Sequence, residues 1–270
     1  MGVEYCHDTS CVCERPVMTD QTAATDWSRW LDRWEDQQGR EMPDREERFT
    51  AMIDVLEDLC GTAPHVADLG SGPGSLARRI IERLPGARVT AIDMDPVLLA
   101  IGRNALGDMG GRLSWLDADL RSRWSAQAEG PVDAAVSATA LHWLKLDALA
   151  GLYRHLGTVL RPGGVFVNGD GMALPATEPR LAAAALSIRK RRRAPAAGSA
   201  ESWEQWWGAV DADPGLAAEV AERNLRHHDH PDHENQADLA AHVMLLRQAG
   251  FAEVDTLWQH LADRVLVAIR

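Results

Sequence analysis

The sequence predicts an α/β fold whose sheet is mostly parallel and ends in one antiparallel strand. Between residues 65 and 170, short apolar segments alternate with helical patterns at the spacing of βαβ units. A glycine-rich turn joins the first strand of this series to its helix. At the end of the chain, two further strands are separated by too few residues for a crossover helix, so they must pair as a hairpin.

The composition is that of an ordinary globular protein and excludes a disordered or collagen-like chain. Of the 270 residues, 46% are hydrophobic and 25% are charged, and the formal net charge is −12. No apolar run reaches the roughly 18 residues of a membrane span, and the N-terminus lacks a secretory signal pattern. The cysteines at 6, 11, 13 and 60 have no familiar zinc spacing. We therefore expect free thiols, a cytoplasmic location and no metal site.

The predicted elements form one domain. Residues 1–20 are predicted to be a flexible tail, and residues 21–270 a single domain. Helices are expected within 21–60, at 74–84, 95–106, 146–160 and 238–249, and strands at 65–69, 87–93, 112–116, 132–137, 165–168, 252–259 and 263–269. These strands predict a seven-stranded mixed sheet. Residues 171–235 contain no convincing strand, and the segments 21–60 and 171–237 are expected to form a helical lid.

The glycine-rich turn carries the first chemical signal. Glycines at 70, 72 and 74 permit positive φ and let a ligand approach the backbone. The helix that follows offers free N–H groups to a carboxylate or phosphate. Asp68, just before the turn, can accept hydrogen bonds from a ligand amine or brace the turn itself.

Asp93 ends the second predicted strand and has two interpretations. Its carboxylate can accept from both hydroxyls of a ribose, or it can cap the helix that begins near residue 95. The dinucleotide fingerprint needs a third glycine at position 75, which is Ser75 here. That departure, with the terminal hairpin, disfavours a nicotinamide-dependent oxidoreductase.

Two more polar segments follow neighbouring strands. The segment 117–120 follows the third strand, where an acid or the backbone can bind the amino group of an adenine. The segment 137–143 follows the fourth strand. Open α/β sheets bind ligands at the carboxyl ends of their strands, so all four segments are expected at one site.

Taken in order, these segments resemble the motifs of class I S-adenosylmethionine-dependent methyltransferases, which have a Rossmann-like fold. The segments are DLGSGPG, AIDMDP, DADL, DAAVSATALHWL and LRPGGVFVNGD. The terminal hairpin is similar to that family's last two strands. The resemblance spans about 44–170 and 238–270, and ALHWL resembles the small-molecule branch that includes trans-aconitate and related carboxylate methyltransferases. Residues 171–235 match none of its motifs.

The resemblance implies S-adenosylmethionine as the cofactor and a role for several residues. The methionine part would lie against the glycine-rich turn, the ribose on Asp93, the adenine beside Met94 and the 117–120 segment, and the sulfonium near Ser137. The implied cofactor residues are Asp68, Gly70, Ser71, Gly72, Gly74, Asp93, Met94, Asp119, Leu120 and Ser137. An acidic, glycine-rich site suits a cation that carries a carboxylate and a diol.

His142 is the best-placed candidate for a catalytic base. Methyl transfer from a sulfonium is a direct displacement, so alignment and desolvation can supply most of the acceleration. A base is needed only where the acceptor carries a proton at pH 7. The alternative is a hydrogen-bonded or helix-capping histidine. Trp143 beside it is expected in the pocket wall or the core.

Tryptophans are expected to form the acceptor pocket. The chain has 10 tryptophans, and Trp27, Trp30 and Trp34 share one predicted helix face. Trp203, Trp206 and Trp207 share another. The two faces are predicted to meet above the cofactor, where indole walls suit an apolar or aromatic acceptor and can face a sulfonium. The alternative is that they pin the helices to the sheet.

The remaining clusters carry weaker expectations. The histidines of 227–233 lack a metal-site spacing, and Pro231 would break a helix there. The basic run 189–193 can contact an anionic substrate or RNA, but the net charge of −12 argues against a broad nucleic-acid surface. We therefore expect methyl transfer to a small organic acceptor, with O-methylation of a carboxylate or hydroxyl first. A tRNA methyltransferase and a cofactor-binding protein without transferase activity are the alternatives.

Overall fold

The computed structural model describes residues 25–124, 132–196, 201–229 and 237–270. The expected tail at 1–20, its three cysteines, and most of the linker at 194–200 and of the histidine-rich turn at 227–233 lie outside these ranges. Among the described helices, none combines the length and apolar character that a membrane span requires.

The sheet has seven strands in the order β3-β2-β1-β4-β5-β7-β6. The strands are His65–Leu69 (β1), Arg88–Asp93 (β2), Leu113–Asp117 (β3), Val132–Ala138 (β4), Leu160–Gly171 (β5), Glu253–His260 (β6) and Asp263–Ile269 (β7). The first five strands pair in parallel, and β7 is antiparallel to both β5 and β6. The predicted mixed sheet and its terminal hairpin are confirmed.

The described α-helices connect and cover these strands. They are Trp27–Glu41 (α1), Arg45–Cys60 (α2), Ser75–Arg83 (α3), Pro96–Leu106 (α4), Leu146–Val159 (α5), Pro179–Ala196 (α6), Trp203–Asp211 (α7), Ala217–Asp229 (α8) and Leu239–Gln248 (α9). Local sequence explains several ends. Asp95 caps α4 by accepting from the amides of Val97 and Leu98, and Gly61, at φ 74°, ends α2.

The sheet is buried on both faces, as its parallel strands require. One face packs on α5 and α9 through Tyr153, Phe166 and Leu246. The other packs on α2 and α3 through residues such as Leu56 and Ile80. A third cluster joins α1, α4 and α7 and contains Trp30, Trp34 and Trp206. The first two clusters hold the strand ends rigidly in place beneath the site.

One strand differs clearly from its prediction. The sequence predicts a fifth strand over residues 165–168, whereas the observed β5 covers Leu160–Gly171. The turn signal at Pro162, Gly163 and Gly164 lies inside the strand, because Val132 of β4 already pairs with Leu160 and a register shift accommodates the extra residues. The longer strand also carries Asp170 beyond the predicted end.

Candidate functional site

A cavity of about 1160 Å³ opens at the carboxyl ends of the parallel strands. The turn after β1, the ends of β2, β4 and β5, and the segment after β3 all contribute to it. Four helices outside the sheet also line the cavity. They are α1, α6, α7 and α8, which contribute Trp34, Leu186, Trp207 and Arg223 respectively. The segments singled out in the sequence thus converge on one space.

The glycine-rich turn is fixed against its neighbours. The amides of Gly70 and Ser71 donate to the carbonyl of Ile92, and the amide of Gly72 donates to Oδ2 of Asp93 at 2.7 Å. Gly70 and Gly72 have φ of 69° and 54°, a region that glycine adopts without strain. A Cβ at Gly70 would collide with Cβ of Ala140. The turn therefore packs closely on the loop that follows β4.

Two carboxyl groups face the cavity beside this turn. Asp68 is 1% exposed, and its Oδ2 has no hydrogen-bond partner among the described residues. Burial, together with the charge of Asp93, raises the pKa of Asp68 to about 7. Burial and the charge of Asp95 raise the pKa of Asp93 to about 6. Such a pair attracts a ligand that brings a cation or hydroxyl donors.

Asp93 also has a structural task. Its Oδ1 accepts from the amide of Asp95 at 2.9 Å, while Oδ2 holds Gly72. Asp95, not Asp93, is the residue that caps α4. The capping interpretation of Asp93 is therefore wrong, because Asp93 instead accepts from the backbone of the glycine turn and of Asp95, the residue that does cap α4.

Most of the predicted cofactor residues line the cavity, and two do not. Those on the wall are Asp68, Gly70, Ser71, Gly72, Asp93, Met94, Asp119 and Leu120. Gly74 is not among the lining residues, because it packs on the indole of Trp115. Ser137 is also absent from the wall, since it is fully buried and its Oγ donates to the carbonyl of Leu69. The structure thus places Gly74 and Ser137 behind the wall, where they support it.

The tryptophan faces of α1 and α7 meet. The rings of Trp34 and Trp206 lie 5.1 Å apart, and those of Trp30 and Trp206 lie 5.7 Å apart. Trp34, Trp203 and Trp207 line the cavity, as does Trp143.

Three of the tryptophans proposed for the acceptor do not reach the cavity. Trp206 is fully buried, and Trp30 is buried with its Nε1 donating to Asp213 at 3.1 Å. Trp27 packs on the same cluster from outside. These three residues join α1 to α7, so the packing interpretation holds for them rather than the pocket interpretation.

Helix α8 is attached to the strand ends by two arginines that sequence reasoning missed. Arg223 lies 2.7 Å from Asp95 and its guanidinium lies over the ring of Trp207. Arg226 donates to both oxygens of Asp117 and to the carbonyl of Met94. Their charge alone gave no signal, because isolated arginines on a polar helix are usual on a solvated face.

His142 makes a paired contact that the sequence did not predict. Its Nδ1 lies 2.8 Å from Oδ1 of Asp170, and its backbone amide donates to Oδ2 of the same carboxylate at 3.2 Å. Asp170 is 2% exposed, and both residues line the cavity. The available signal was an acid at the carboxyl end of the fifth strand, in the segment NGDG.

The basic run on α6 is divided among different contacts. Arg189 lines the cavity, Arg191 donates to Ser187, and Arg192 lies 2.8 Å from Nε2 of His260. It does not form one continuous basic face on the described part of α6. Within the described ranges, no three His, Cys, Asp or Glu side chains are grouped so as to hold a metal ion.

Comparison with known proteins gives a family and several relatives. Residues 66–164 match a family described as a methyltransferase domain. A trans-aconitate 2-methyltransferase of Azoarcus sp. is 38% identical over 135 residues, which are 49% of this chain and 48% of that protein. One of Streptomyces coelicolor is 36% identical over 118 residues, 43% of this chain and 37% of that protein. The chain thus spans less than half the length of each of these relatives.

Solved structures share the fold at low sequence identity. An O-methyltransferase family protein from Burkholderia thailandensis superposes with a TM-score of 0.56 at 17% identity, covering 90% of this chain and 62% of that one. Human N-acetylserotonin methyltransferase, solved with S-adenosylmethionine, gives a TM-score of 0.54 at 15% identity, covering 89% and 56%. At these identities the likeness concerns the fold alone.

Proposed function

We propose that the chain is a class I S-adenosylmethionine-dependent methyltransferase; the match of residues 66–164 to a methyltransferase domain and the order of the strands support this. The protein transfers the methyl group of S-adenosylmethionine to a small organic acceptor, with an oxygen as the attacking atom. The observation that carries this proposal is the buried carboxylate oxygen Oδ2 of Asp68, which has no hydrogen-bond partner among the described residues and belongs to a residue of the cavity wall.

The residues present fit this cofactor. Burying a charged oxygen without a hydrogen-bond partner is unfavourable, and a cation beside it offsets that cost, so Oδ2 of Asp68 suits the cofactor's ammonium group. Asp93 lines the cavity, and each of its oxygens can accept a second hydrogen bond beside the one from the backbone, which suits a ribose diol. Met94, Asp119 and Leu120 lie along the same wall and would hold the adenine.

The bound cofactor supplies a methyl carbon on a positively charged sulfur, which an acceptor oxygen attacks directly. The chain's own contribution is to align the two molecules and to exclude water. The cavity of about 1160 Å³ exceeds the usual range for one small-molecule site and leaves room for an acceptor beside the cofactor. Trp143, Trp203 and Trp207 add flat apolar surface to the cavity wall.

The relatives favour oxygen as the acceptor atom. The two curated relatives are named for methylation of trans-aconitate, a carboxylic acid, and one fold neighbour is described as an O-methyltransferase family protein. We propose further that residues 21–270 act as one domain, with the helices of 21–60 and 171–237 closing the site, in the cytoplasm. The proposal of a lid is supported by the observation that α1, α6, α7 and α8 all contribute residues to the cavity wall.

The test is label transfer by the full chain. The protein is incubated with S-adenosylmethionine that carries an isotopic methyl group, and with trans-aconitate, small phenols and other small acids in turn. We expect S-adenosylhomocysteine and a labelled small-molecule product. Binding of the cofactor without label transfer would favour a cofactor-binding protein. Transfer to tRNA, lost as salt is raised, would favour the nucleic-acid alternative.

A further inference from the structure

The His142–Asp170 pair has a geometry that goes beyond a capping contact. Ala138 of β4 pairs with Gly169 of β5, so Asp170 is the next residue of the neighbouring strand. Thr139 then adopts φ of 53°, and its amide donates to the carbonyl of Gly169. A non-glycine residue in this region is strained, and such strain concentrates at functional sites. The turn brings a short 3-10 helix, Leu141–Trp143, directly over Asp170.

Asp170 fixes both the position and the tautomer of the imidazole. It accepts from the His142 backbone amide with one oxygen and contacts Nδ1 with the other. A carboxylate can only accept, so the ring proton lies on Nδ1 and Nε2 carries the lone pair. The amide of Gly171 also donates to Oδ1 of Asp170 at 2.8 Å, which holds the carboxylate itself in place.

The other charged and titratable groups near Asp170 have contacts of their own. Tyr153 and His242, from α5 and α9, are buried and share a hydrogen bond of 2.6 Å. Nη1 of Arg48, from α2, lies 3.8 Å from Oδ1 of Asp263, and its buried charge also acts on Asp170. Among the described residues, the side chain within ion-pair distance of Asp170 is His142. Asp170 can therefore stabilise a positive imidazolium at this distance.

The pair lies where an acceptor would meet the proposed cofactor site. Ala140, two residues before His142, packs on the glycine turn at Gly70. His142 and Asp170 share the cavity with Asp68, and the rings of His142 and Trp143 lie 4.8 Å apart. The candidate base thus lines the same cavity as the proposed cofactor residues, just after the loop that packs on the glycine turn.

We propose that Asp170 is a positioning residue that makes His142 the general base, and that the acceptor therefore carries a hydroxyl group rather than a carboxylate as its attacking group. This inference rests on the proposed methyl transfer and narrows its acceptor. The hydroxyl proton passes to Nε2 of His142 as the oxygen bonds to the methyl carbon. The carbon–sulfur bond breaks, and its electron pair stays on sulfur. The imidazolium, paired with Asp170, later releases the proton to solvent.

A carboxylate acceptor would not need this pair. It is already ionised at neutral pH, so it has no proton for His142 to take. The pair therefore favours an acceptor that differs in kind from trans-aconitate, the carboxylic acid for which the curated relatives are named.

The kinetic test uses two acceptors with one skeleton, 2-naphthol and 2-naphthoate, together with trans-aconitate. The full chain is compared with His142→Gln, Asp170→Asn and the matched control Asp147→Asn, which removes an exposed carboxylate at the start of α5. We expect turnover of 2-naphthol, and a kcat lowered by roughly 10²-fold or more in His142→Gln with little change in KM. Asp170→Asn should reproduce much of that loss, and Asp147→Asn none of it.

A second readout does not depend on the acceptor. Nitrogen-15 NMR of labelled histidine reports which ring nitrogen carries the proton. We expect the proton of His142 on Nδ1 in the wild type and a changed distribution in Asp170→Ala. A proton on Nε2 in the wild type would overturn the inference. Turnover of carboxylates alone, unaffected by His142→Gln, would also overturn it while leaving methyl transfer intact. Loss of S-adenosylhomocysteine binding in the wild type would instead overturn the proposed function.

Discussion

Asp68 and Asp93 lie on neighbouring parallel strands and face the same cavity, and the charge of Asp93 contributes to the raised pKa of Asp68. Both carboxyl groups resist ionisation in the free protein, because burial removes the water that would stabilise their charge. A bound ligand with an ammonium group and hydroxyl donors stabilises the ionised carboxylates and so lowers their pKa values. Binding at this site therefore depends on pH.

The affinity for the cofactor should rise with pH. Below about pH 7 Asp68 is protonated in the free protein, so binding of an ammonium group must first ionise it. The affinity then falls by up to about tenfold per pH unit as the pH is lowered. Calorimetry with S-adenosylhomocysteine between pH 5.5 and 8 measures this, and binding at low pH should release a proton. Asp68→Asn should bind weakly and lose the pH dependence above about pH 6, while Asp93 keeps a slope below it; a slope equal to that of the wild type would exclude Asp68.

Substitutions of two glycines should separate binding from folding. A Cβ at Gly72 would meet only Leu98 and Trp34 at 3.8 Å, so Gly72→Val mainly narrows the cavity and strains φ. We expect loss of S-adenosylmethionine binding with a modest fall in melting temperature. In Gly70→Ala, the added Cβ would collide with Cβ of Ala140, so this variant should have a lower melting temperature than Gly72→Val. Full cofactor affinity in a folded Gly72→Val variant would contradict the position of the ligand.

The two adjacent tryptophans of α7 should behave differently. Trp206 is fully buried between α1 and α7, so Trp206→Ala should cost about 3–5 kcal/mol of unfolding free energy. Trp207 lines the cavity, and Trp207→Ala should raise the acceptor's KM with a smaller loss of stability. Chemical denaturation and steady-state kinetics on both variants make the comparison. Equal losses of stability would mean that Trp207 is a packing residue as well.

Arg226 should hold α8 over the cofactor side of the cavity. Removing its contacts with Asp117 and Met94 in Arg226→Ala should cost up to about 1 kcal/mol, since the pair is partly exposed. Amide exchange in α8 should become faster, and the affinity for S-adenosylhomocysteine should fall. Arg191→Ala, which removes a contact with Ser187 on the surface, is the control. Unchanged exchange in α8 would show that other contacts hold this helix.

The sequence predicted the sheet well because the residues that end its helices and strands act locally. Glycine and proline mark the ends of most elements, and the short connection before β7 permits only a hairpin. Asp68 and Asp93 were found for the same reason, since each lies at the carboxyl end of a buried strand.

Other features depend on contacts that are distant in the sequence. Asp170 and His142 are 28 residues apart, and only the register of β4 with β5 brings them together. Trp206 and Trp207 are neighbours on one helix, so spacing could not show which faces the cavity and which faces α1. Ser137 follows the expected motif, yet its hydroxyl donates to Leu69 inside the sheet. Side-chain direction at these positions is decided by packing.

The central claim is that S-adenosylmethionine binds at the carboxyl ends of β1 and β2. Calorimetric titration of S-adenosylhomocysteine into the wild type, Asp93→Ala and the control Asp147→Asn tests it most directly. We predict one site in the wild type and in the control, and an affinity lower by about 1.5–3 kcal/mol in Asp93→Ala, the range for hydrogen bonds to a charged group. Absence of binding in the wild type, or equal affinity in Asp93→Ala, would contradict this location for the cofactor.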